Sequence, residues 1–334
     1  MTPIISSRII GTGSYLPDRL VSNQEVAVHF GFPEEDVFRV TGIQARHWAD
    51  PDQTCSDLAE QASRRALAAA GQSIEAVDAI ILSTTSPDTV FPSTACHLQQ
   101  KMRARQVAAF DLAASCTGFL YGLSLADAFI RSGQYRCCLV VAAEVKSRYL
   151  GGTQKDSAIL FGDGAGAAVV VKAEALDFKN RQGILDVRLH SDGAHHDLIT
   201  VPAGGSRLPM STESIQKHNH AIELKGGPVF RTGVKRLSMA IAEMLRDFGL
   251  TVADIEQVIA HQANARMLRA IAKRAGLSPN TMFSMIEHAG NTSSASLPIA
   301  LDTACRQKTF TAGDLILLGA FGGGLTWGTA LIRW

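Results

Sequence analysis

The chain repeats one pattern twice in the same order, and this repeat constrains the fold more than any other feature. Residues 58–85 (LAEQASRRALAAAGQSIEAVDAIILSTT) and residues 236–263 (RLSMAIAEMLRDFGLTVADIEQVIAHQA) each contain an amphipathic helix, a glycine, a short acidic segment and an apolar strand. The two glycines, Gly71 and Gly249, are typical helix ends. A single match of this kind would be unremarkable, but the series continues, which indicates a duplicated unit.

The second part of each repeat lies further along the chain. LVVAAE (139–144) matches LILLGA (315–320), and each is followed by a Gly-rich turn and a strand. These closing segments are FGDGAGAAVVV from Phe161 and FGGGLTWGTALIRW from Phe321. We predict one half over residues 1–173 and a second over 174–334, with the polar stretch 190–220 as an excursion over the surface.

Strands alternate with helices through the first half, which predicts an α/β fold with buried sheets. A duplicated α/β unit places its site where the ends of equivalent strands meet. The predicted elements are a helix over 57–70, a helix over 117–131, and strands over 79–83, 107–112, 138–143 and 167–171.

Charge and composition exclude several classes of protein. The 334 residues include 32 Lys and Arg against 31 Asp and Glu, a net charge of +1, which does not favour nucleic-acid or membrane binding. Apolar runs are far shorter than the ~18 residues of a membrane span, and the opening MTPIISSRII predicts no signal peptide. The six cysteines contain no CxxC pair, so we expect reduced thiols in a cytoplasmic protein and no structural zinc.

One cysteine lies where a nucleophile would be placed. Cys116, in AASCTGF, sits between a predicted strand and the first turn of a predicted helix. Free backbone N–H groups and the helix dipole at such a position favour a thiolate. The small neighbours Ala113, Ala114 and Gly118 leave room for a substrate. An arbitrary cysteine is more often buried and inert, so this hypothesis depends on what the second half contributes.

The second half places two polar side chains at its own strand ends. His261 follows the strand 258–260, and Asn291 lies in HAGNTSSAS before a helix that starts near Ser296. Taken singly, each is more often a structural histidine or a helix cap than a catalytic group. In a duplicated fold, Cys116 could hold an acyl group as a thioester while His261 and Asn291 donate hydrogen bonds to an enolate.

A run of three glycines, Gly322 to Gly324, completes the candidate site. Glycines allow close backbone approach, and an N–H group of this run could pair with that of Cys116 as an oxyanion hole. Viewed alone, the run is equally compatible with a simple tight turn.

Two other signals are weaker. GDGAG (162–166) resembles a dinucleotide loop, but it precedes a buried strand and no helix, which is the wrong context for a pyrophosphate. His195, His196, His218 and His220 fit no standard zinc spacing, so we expect no metal site.

Several long motifs are distributed over essentially the whole chain. They are ASCTGFLYGL, FGDGAGAAVV, HQANARM, HAGNTSSASLPIAL and GAFGGGLTWGTALIRW, with GTGSYLPDRLVSN, TGIQARH and TVFPSTAC in the first 96 residues. Together these motifs resemble the β-ketoacyl-acyl-carrier-protein synthase III family of the thiolase superfamily. The resemblance implies a duplicated, five-layered αβαβα fold, a homodimer and no cofactor. It also implies that an acyl group moves from a thioester to the cysteine and condenses with malonyl-acyl-carrier protein, which loses carbon dioxide.

The resemblance also assigns roles position by position. It implies a triad of Cys116, His261 and Asn291, with the oxyanion hole at the N–H groups of Cys116 and Gly323. Phe91 matches a family phenylalanine that crosses to the partner's acyl pocket. Implied substrate-binding residues also include Asn264, Phe230, Phe321 and Lys155, and the implied carrier-protein contacts are Arg231, Arg266, Lys273 and Arg274.

The chain departs from the family at the entrance for coenzyme A. Asp36 stands where acetyl-CoA-using members carry a Trp, and Lys155, followed by Asp156, stands where they carry an Arg. An ammonium cannot replace the stacking of a planar group, so we expect weak or altered CoA recognition. Open alternatives are an acyltransferase or a biotin-pathway or secondary-metabolite condensing enzyme on the same fold, and a non-catalytic binding module, which the intact triad disfavours.

Overall fold

The computed structural model describes residues 4–151, 155–175 and 181–334. The first three residues of the opening MTPIISSRII, for which no signal peptide is expected, therefore lie outside the described residues. Its strands are β1 (Ile4–Tyr15), β2 (Leu20–Ser22), β3 (Ala45–His47), β4 (Ala79–Ser83), β5 (Ala108–Leu112), β6 (Cys137–Glu144), β7 (Gly164–Ala175), β8 (Gly183–Ser191), β9 (Ile199–Thr200), β10 (Glu223–Leu224), β11 (Gln257–Ala260), β12 (Met282–Phe283), β13 (Leu315–Gly322) and β14 (Thr326–Arg333). Its α-helices are α1 (Asn23–Phe30), α2 (Glu34–Thr41), α3 (Cys55–Ala70), α4 (Thr94–Met102), α5 (Gly118–Arg131), α6 (Lys155–Ala158), α7 (Thr212–Gln216), α8 (Gly226–Asp247), α9 (Ala265–Ala275), α10 (Ile286–Ala289) and α11 (Ser296–Gln307).

Two five-stranded sheets carry the duplication. The first has the order β1-β7-β6-β4-β5 and the second, read the same way, β8-β14-β13-β11-β12. In each sheet the first two neighbouring pairs are antiparallel and the last two are parallel. The repeat seen in the sequence therefore extends to strand order and strand direction.

The pairing register corrects one part of the sequence match. Ala79 of β4 lies beside Cys138 of β6, and Gln257 of β11 lies beside Ile316 of β13. β6 is therefore equivalent to β13 from end to end, and the match of 139–144 with 315–320 was wrong by two residues. Both strands are continuous apolar runs, as is usual in buried parallel sheets, and such runs contain little register information.

Helices cover both sheets and fill the space between them, so the predicted αβαβα arrangement is confirmed. α3 and α4 pack on the outer face of the first sheet, and α8 and α9 pack on the second. α5 and α11 lie between the sheets, in an apolar cluster that includes Ile81 and Ile316 from the two sheets and Phe119 and Leu301 from the two helices. Burial of each such side chain contributes about 1.5–3 kcal/mol.

The helix ends follow the sequence signals closely. α3 begins after Thr54, whose backbone N–H donates to the Asp57 side chain, and it ends at Gly71 with a φ of 60°. Gly249 follows α8 with a φ of 65°. Glycine adopts these left-handed angles without a steric penalty, which is why both repeats end their first helix with it.

The polar stretch 190–220 is only partly a surface excursion. β8 extends to Ser191, β9 pairs with β10, and Leu198, Ala203 and Ser214 are buried. The prediction missed this because the short apolar pieces are separated by polar turns. The division after residue 173 stays a prediction, since β7 continues to Ala175. No helix of the described residues is long and apolar enough to cross a membrane.

Candidate active site

The two halves meet at a pair of equivalent turns. Cys116 lies in a 3₁₀ turn, Ser115–Thr117, between β5 and α5, and a second 3₁₀ turn, Ser293–Ala295, precedes α11. The first residue of each turn has a left-handed φ, 47° at Ser115 and 53° at Ser293. β13 ends against the first turn and β6 ends against the second. The strand ends of both halves therefore converge here, as the duplication predicts.

A cavity of about 620 Å³ opens at this junction. Its mouth is lined by exposed residues, among them Asp156, Gly227, Arg231 and Arg266, and its inner part by largely buried ones. Of the residues to which the sequence analysis assigned a role in the site, those that line the cavity are Cys116, Phe230, Arg231, His261, Asn264, Arg266, Asn291, Phe321 and Gly323.

Cys116 is 9% exposed, and its Sγ lies 3.7 Å from the Ser293 Oγ. Burial raises the pKa of the Cys116 thiol to about 11, an effect that the negative charge of Glu144 reinforces and that Ser293 and Lys146 oppose. The resting side chain is therefore a neutral thiol. The thiolate expected from the helix position does not predominate, because desolvation outweighs the favourable field.

His261 and Asn291 supply neutral groups to the cavity. Burial lowers the pKa of His261 to about 3, so its imidazole is uncharged, and its Nδ1 has no hydrogen-bond partner among the described residues. The Asn291 Oδ1 accepts the backbone N–H of Ser293 at 2.9 Å, and its Nδ2 donates to the Ala263 carbonyl at 3.4 Å. Asn291 thereby holds the turn whose hydroxyl reaches Cys116.

The glycine run makes a close backbone approach. A Cβ added at Gly322 would lie 2.7 Å from the Cys116 backbone nitrogen, and one added at Gly323 would lie 3.0 Å from the Ser115 Oγ. Real Cβ atoms essentially never come as close as the 2.7 Å contact at Gly322, whereas the contact at Gly323 is tight but involves a side-chain hydroxyl. Glycine at position 322 is therefore required for β13 to end beside Cys116.

Sequence reasoning missed an ion pair next to the thiol. Glu144 is fully buried, and its Oε2 lies 3.1 Å from the Lys146 Nζ. Burial alone would raise the pKa of Glu144, but Lys146 together with donors such as the Ser86 and Ser294 hydroxyls holds it below its ordinary value. The signal was present as EVK directly after a buried apolar strand, where charged residues are unusual.

Four of the named residues lie away from the cavity. Phe91 is 85% exposed, and Lys273 and Arg274 are exposed near the end of α9. The Lys155 Nζ is 2.8 Å from the Asp36 carboxylate, which also accepts from Arg39. These two partners lower the pKa of Asp36 to about 2. Lys155 is thus engaged by the residue that stands at the expected Trp position.

Comparison with known proteins identifies relatives along the whole chain. The family model for 3-oxoacyl-[acyl-carrier-protein (ACP)] synthase III matches residues 110–193, and the model for its C-terminal part matches 245–334. The chain is 44% identical to a β-ketoacyl-[acyl-carrier-protein] synthase III of Alkalilimnicola ehrlichii, over 98% of this chain and 99% of that protein. It is 43% identical to the protein of that name from Xanthomonas axonopodis pv. citri, over the full length of both.

Solved structures agree. The crystal structure of 3-oxoacyl-[acyl-carrier-protein] synthase III from Aquifex aeolicus superimposes with a TM-score of 0.88 and 36% identity, covering 98% of this chain and all of that one. The fold and these relatives define an acyl-transferring enzyme of the thiolase-like class. The chain belongs to the β-ketoacyl-acyl-carrier-protein synthase III family, whose activity is the decarboxylative condensation that yields a β-ketoacyl-carrier protein in fatty-acid biosynthesis.

Proposed function

We propose that Cys116, His261 and Asn291 divide this condensation into two steps. In the first, the Cys116 sulfur attacks the carbonyl carbon of an acyl thioester, and the leaving thiolate takes up the thiol proton. In the second, malonyl-carrier protein loses carbon dioxide, and its enolate attacks the acyl group on Cys116. The cysteine leaves as a thiolate and takes up a proton from water, and a β-ketoacyl-carrier protein is released.

The single observation that supports this proposal is the shared cavity of the three side chains, with His261 uncharged. A neutral imidazole and an amide can donate to an oxygen that gains negative charge, and such donors act strongly where water is excluded. The backbone N–H groups of Cys116 and Gly323 would hold the oxyanion of the tetrahedral intermediate. The reaction so written needs no metal and no cofactor.

The substrate arm would enter past a basic rim. Arg231 and Arg266 line the mouth, and α9 carries Arg269, Lys273 and Arg274 but no acidic residue. We propose this rim as the docking surface for an acyl carrier protein, since clustered positive charge attracts an acidic partner. The engaged Lys155 and the acidic Asp156 offer less to a nucleotide, which favours a carrier-bound primer over acetyl-CoA.

We also propose a homodimer formed through the edge of the first sheet. Among the described strands β5 pairs only with β4, and Val90 and Phe91 are 89% and 85% exposed. An unpaired edge beside exposed apolar side chains is a surface that proteins normally cover. Phe91 would then reach the partner's acyl pocket. Sedimentation should show a dimer, and an active monomer would contradict this proposal. The six cysteines, all described and all free, are consistent with a reducing, cytoplasmic location.

The two steps can be measured separately. Intact mass after mixing with acyl-CoA or acyl-carrier protein reports acylation, and release of carbon dioxide from malonyl-carrier protein reports the second step. Cys116→Ala should give no adduct. His261→Ala or Asn291→Ala should slow decarboxylation by ~10²–10³ while acylation changes less.

His288→Ala is a matched control, because His288 is exposed on α10 and does not line the cavity. An acyl adduct on Cys116→Ala that forms at the normal rate would refute the assignment of Cys116 as the nucleophile. Equal, small effects of His261→Ala and Asn291→Ala on both steps would remove those residues from the proposed mechanism.

A further inference from the structure

The inner part of the cavity carries an ammonium group that the proposed mechanism does not use. Lys146 is 6% exposed, yet it lines the cavity with Thr85, Cys116 and Ser293. Its Nζ donates to the Thr85 Oγ1 over 2.5 Å and lies 3.1 Å from the Glu144 Oε2. An ammonium has three N–H donors, and within the described residues these are its two oxygen acceptors.

Its position places Lys146 on the acyl side of the nucleophile. The mouth residues are exposed, whereas Lys146 and Ser293 are at least nine-tenths buried. A short hydrogen-bond path joins the thiol to the ammonium, because the Ser293 Oγ is 3.7 Å from the Cys116 Sγ and 3.3 Å from Glu144. A substrate arm that enters at the mouth and ends on Cys116 therefore turns its acyl group towards this inner wall.

The ion pair cannot turn away when the acyl group arrives. Glu144 accepts from the hydroxyls of Ser86 at 2.5 Å and Ser294 at 2.7 Å, and from the backbone N–H of Thr85 at 3.2 Å. The Lys146 Nζ also lies 5.5 Å from the centroid of the Tyr149 ring, which is a cation–π contact and not a hydrogen bond. A plain hydrocarbon chain would cover the ammonium and leave its remaining donor without an oxygen acceptor, which is unfavourable. Because Glu144 already balances the charge of Lys146, a neutral oxygen fits this position better than a carboxylate.

The following inference rests on the proposed acylation of Cys116. We propose that Lys146 is a specificity-determining residue, which selects acyl groups that carry a hydroxyl or keto oxygen on the chain. The remaining N–H of the ammonium donates to that oxygen, and Thr85 and Ser293 border it with further hydroxyls. The preferred donor is then a short oxygenated acyl thioester, and a hydrocarbon acyl group of the same length is a poorer one.

The test compares matched donors on the full-length protein. Thioesters of butanoate and hexanoate are each paired with their 3-hydroxy and 3-oxo forms and with the ω-carboxy acyl group of equal length. The rate of Cys116 acylation is followed by intact mass. We expect the hydroxy or oxo form to react faster than the hydrocarbon form by roughly tenfold, the effect of one hydrogen bond to a charged donor.

Three variants isolate the ammonium. Lys146→Met removes it but leaves Glu144 as a buried, unpaired charge, which can prevent folding. The double variant Glu144→Gln, Lys146→Met removes both charges, and thermal unfolding checks that it is folded. Both Lys146→Met proteins should lose the preference for the oxygenated form, whereas Lys146→Arg should retain part of it.

The outcomes are distinct. Equal or faster acylation by the hydrocarbon forms in the unmodified protein, or a preference that survives in the folded double variant, would overturn the role of Lys146 while leaving Cys116 as nucleophile. A preference for the ω-carboxy donors would overturn the choice of a neutral oxygen. If no donor leaves an adduct, the proposed function fails and this inference fails with it.

Discussion

The two 3₁₀ turns at the junction occupy equivalent places in the two halves, yet only one of them carries the proposed nucleophile. Cys116 follows Ser115 in the first turn, and Ser294 follows Ser293 in the second. The Cys116 thiol lines the cavity, whereas the Ser294 hydroxyl is fully buried and donates to Glu144 at 2.7 Å. Equivalent backbone positions therefore do different chemistry.

The difference comes from the strand that faces each turn. β6 and β13 are equivalent, and their last residues are Glu144 and Gly322. Glu144 fills the space before the second turn and binds its hydroxyl. Gly322 has no side chain, so β13 closes directly on the backbone of the first turn and places no charged group against it, and the proposed nucleophile Cys116 lines the cavity. A duplicated scaffold offers two helix starts, and the facing strand end decides which of them is reactive.

The largest effect is expected when the thiol is moved from the first turn to the second. In the double variant Cys116→Ala, Ser294→Cys, we expect complete loss of acylation, because the second position is fully buried and faces Glu144. Intact mass after incubation with an acyl thioester measures the outcome. An acyl adduct on this double variant would show that the two turns are interchangeable and that the facing strand does not decide.

A smaller change adds a side chain at Gly322, where β13 closes on the first turn. Gly322→Ala adds a Cβ 2.7 Å from the Cys116 backbone nitrogen, so we expect slower acylation by tenfold or more and a loss of stability of about 1–3 kcal/mol. Urea unfolding and acylation rates measure the two effects. Gly193→Ala is the matched control, since a Cβ there meets nothing within 4 Å, and similar losses in both variants would contradict the argument.

The smallest expected effect is a pH dependence of the unfolding free energy, which His261 in the second half should cause. His261 has a folded pKa of about 3, below its ordinary 6.5. The unfolded chain therefore binds one more proton between these values, and stability that is complete above pH 6.5 is lost as the pH falls towards 3. The slope should approach about 1.4 kcal/mol per pH unit.

Urea unfolding at pH 7 and pH 5 tests this for the unmodified protein and for His261→Asn, which cannot titrate. The difference in unfolding free energy between the two proteins should shrink or reverse at the lower pH. An equal loss of stability in both proteins would show that His261 is not buried in its neutral form.

Much of the architecture could be predicted from the sequence, because helix ends and apolar runs are local signals. Gly71 marks the end of α3 to the residue, and the predicted start at residue 57 is two residues inside the helix, which begins at Cys55. Strand register could not be predicted in the same way, since every residue of β6 and of β13 is buried. The candidate site divides in the same way, into features that the local sequence predicts and features that depend on packing.

Cys116 and the glycine run were found from local context, and the structure adds that they approach within contact distance. The neutral state of the Cys116 thiol could not be found from sequence, because desolvation depends on residues far apart in the chain. The Glu144–Lys146 pair was visible as charged letters, but its position beside Ser293, 149 residues from Glu144, depends on the packing of the two halves.

The inner helical layer also determines how the molecule loses its structure. α5 contacts strands of both sheets, β4 and β6 in the first and β8, β13 and β14 in the second, and α11 likewise contacts β1 and β7 as well as β11 and β13. The apolar cluster between the sheets takes side chains from both sheets and from both of these helices, so neither half closes this inner cluster alone. Opening one sheet would expose the apolar side chains of the middle layer that also pack on the second sheet. The two repeats therefore form one cooperative unit, because partial unfolding at the junction loses buried apolar contacts in both halves.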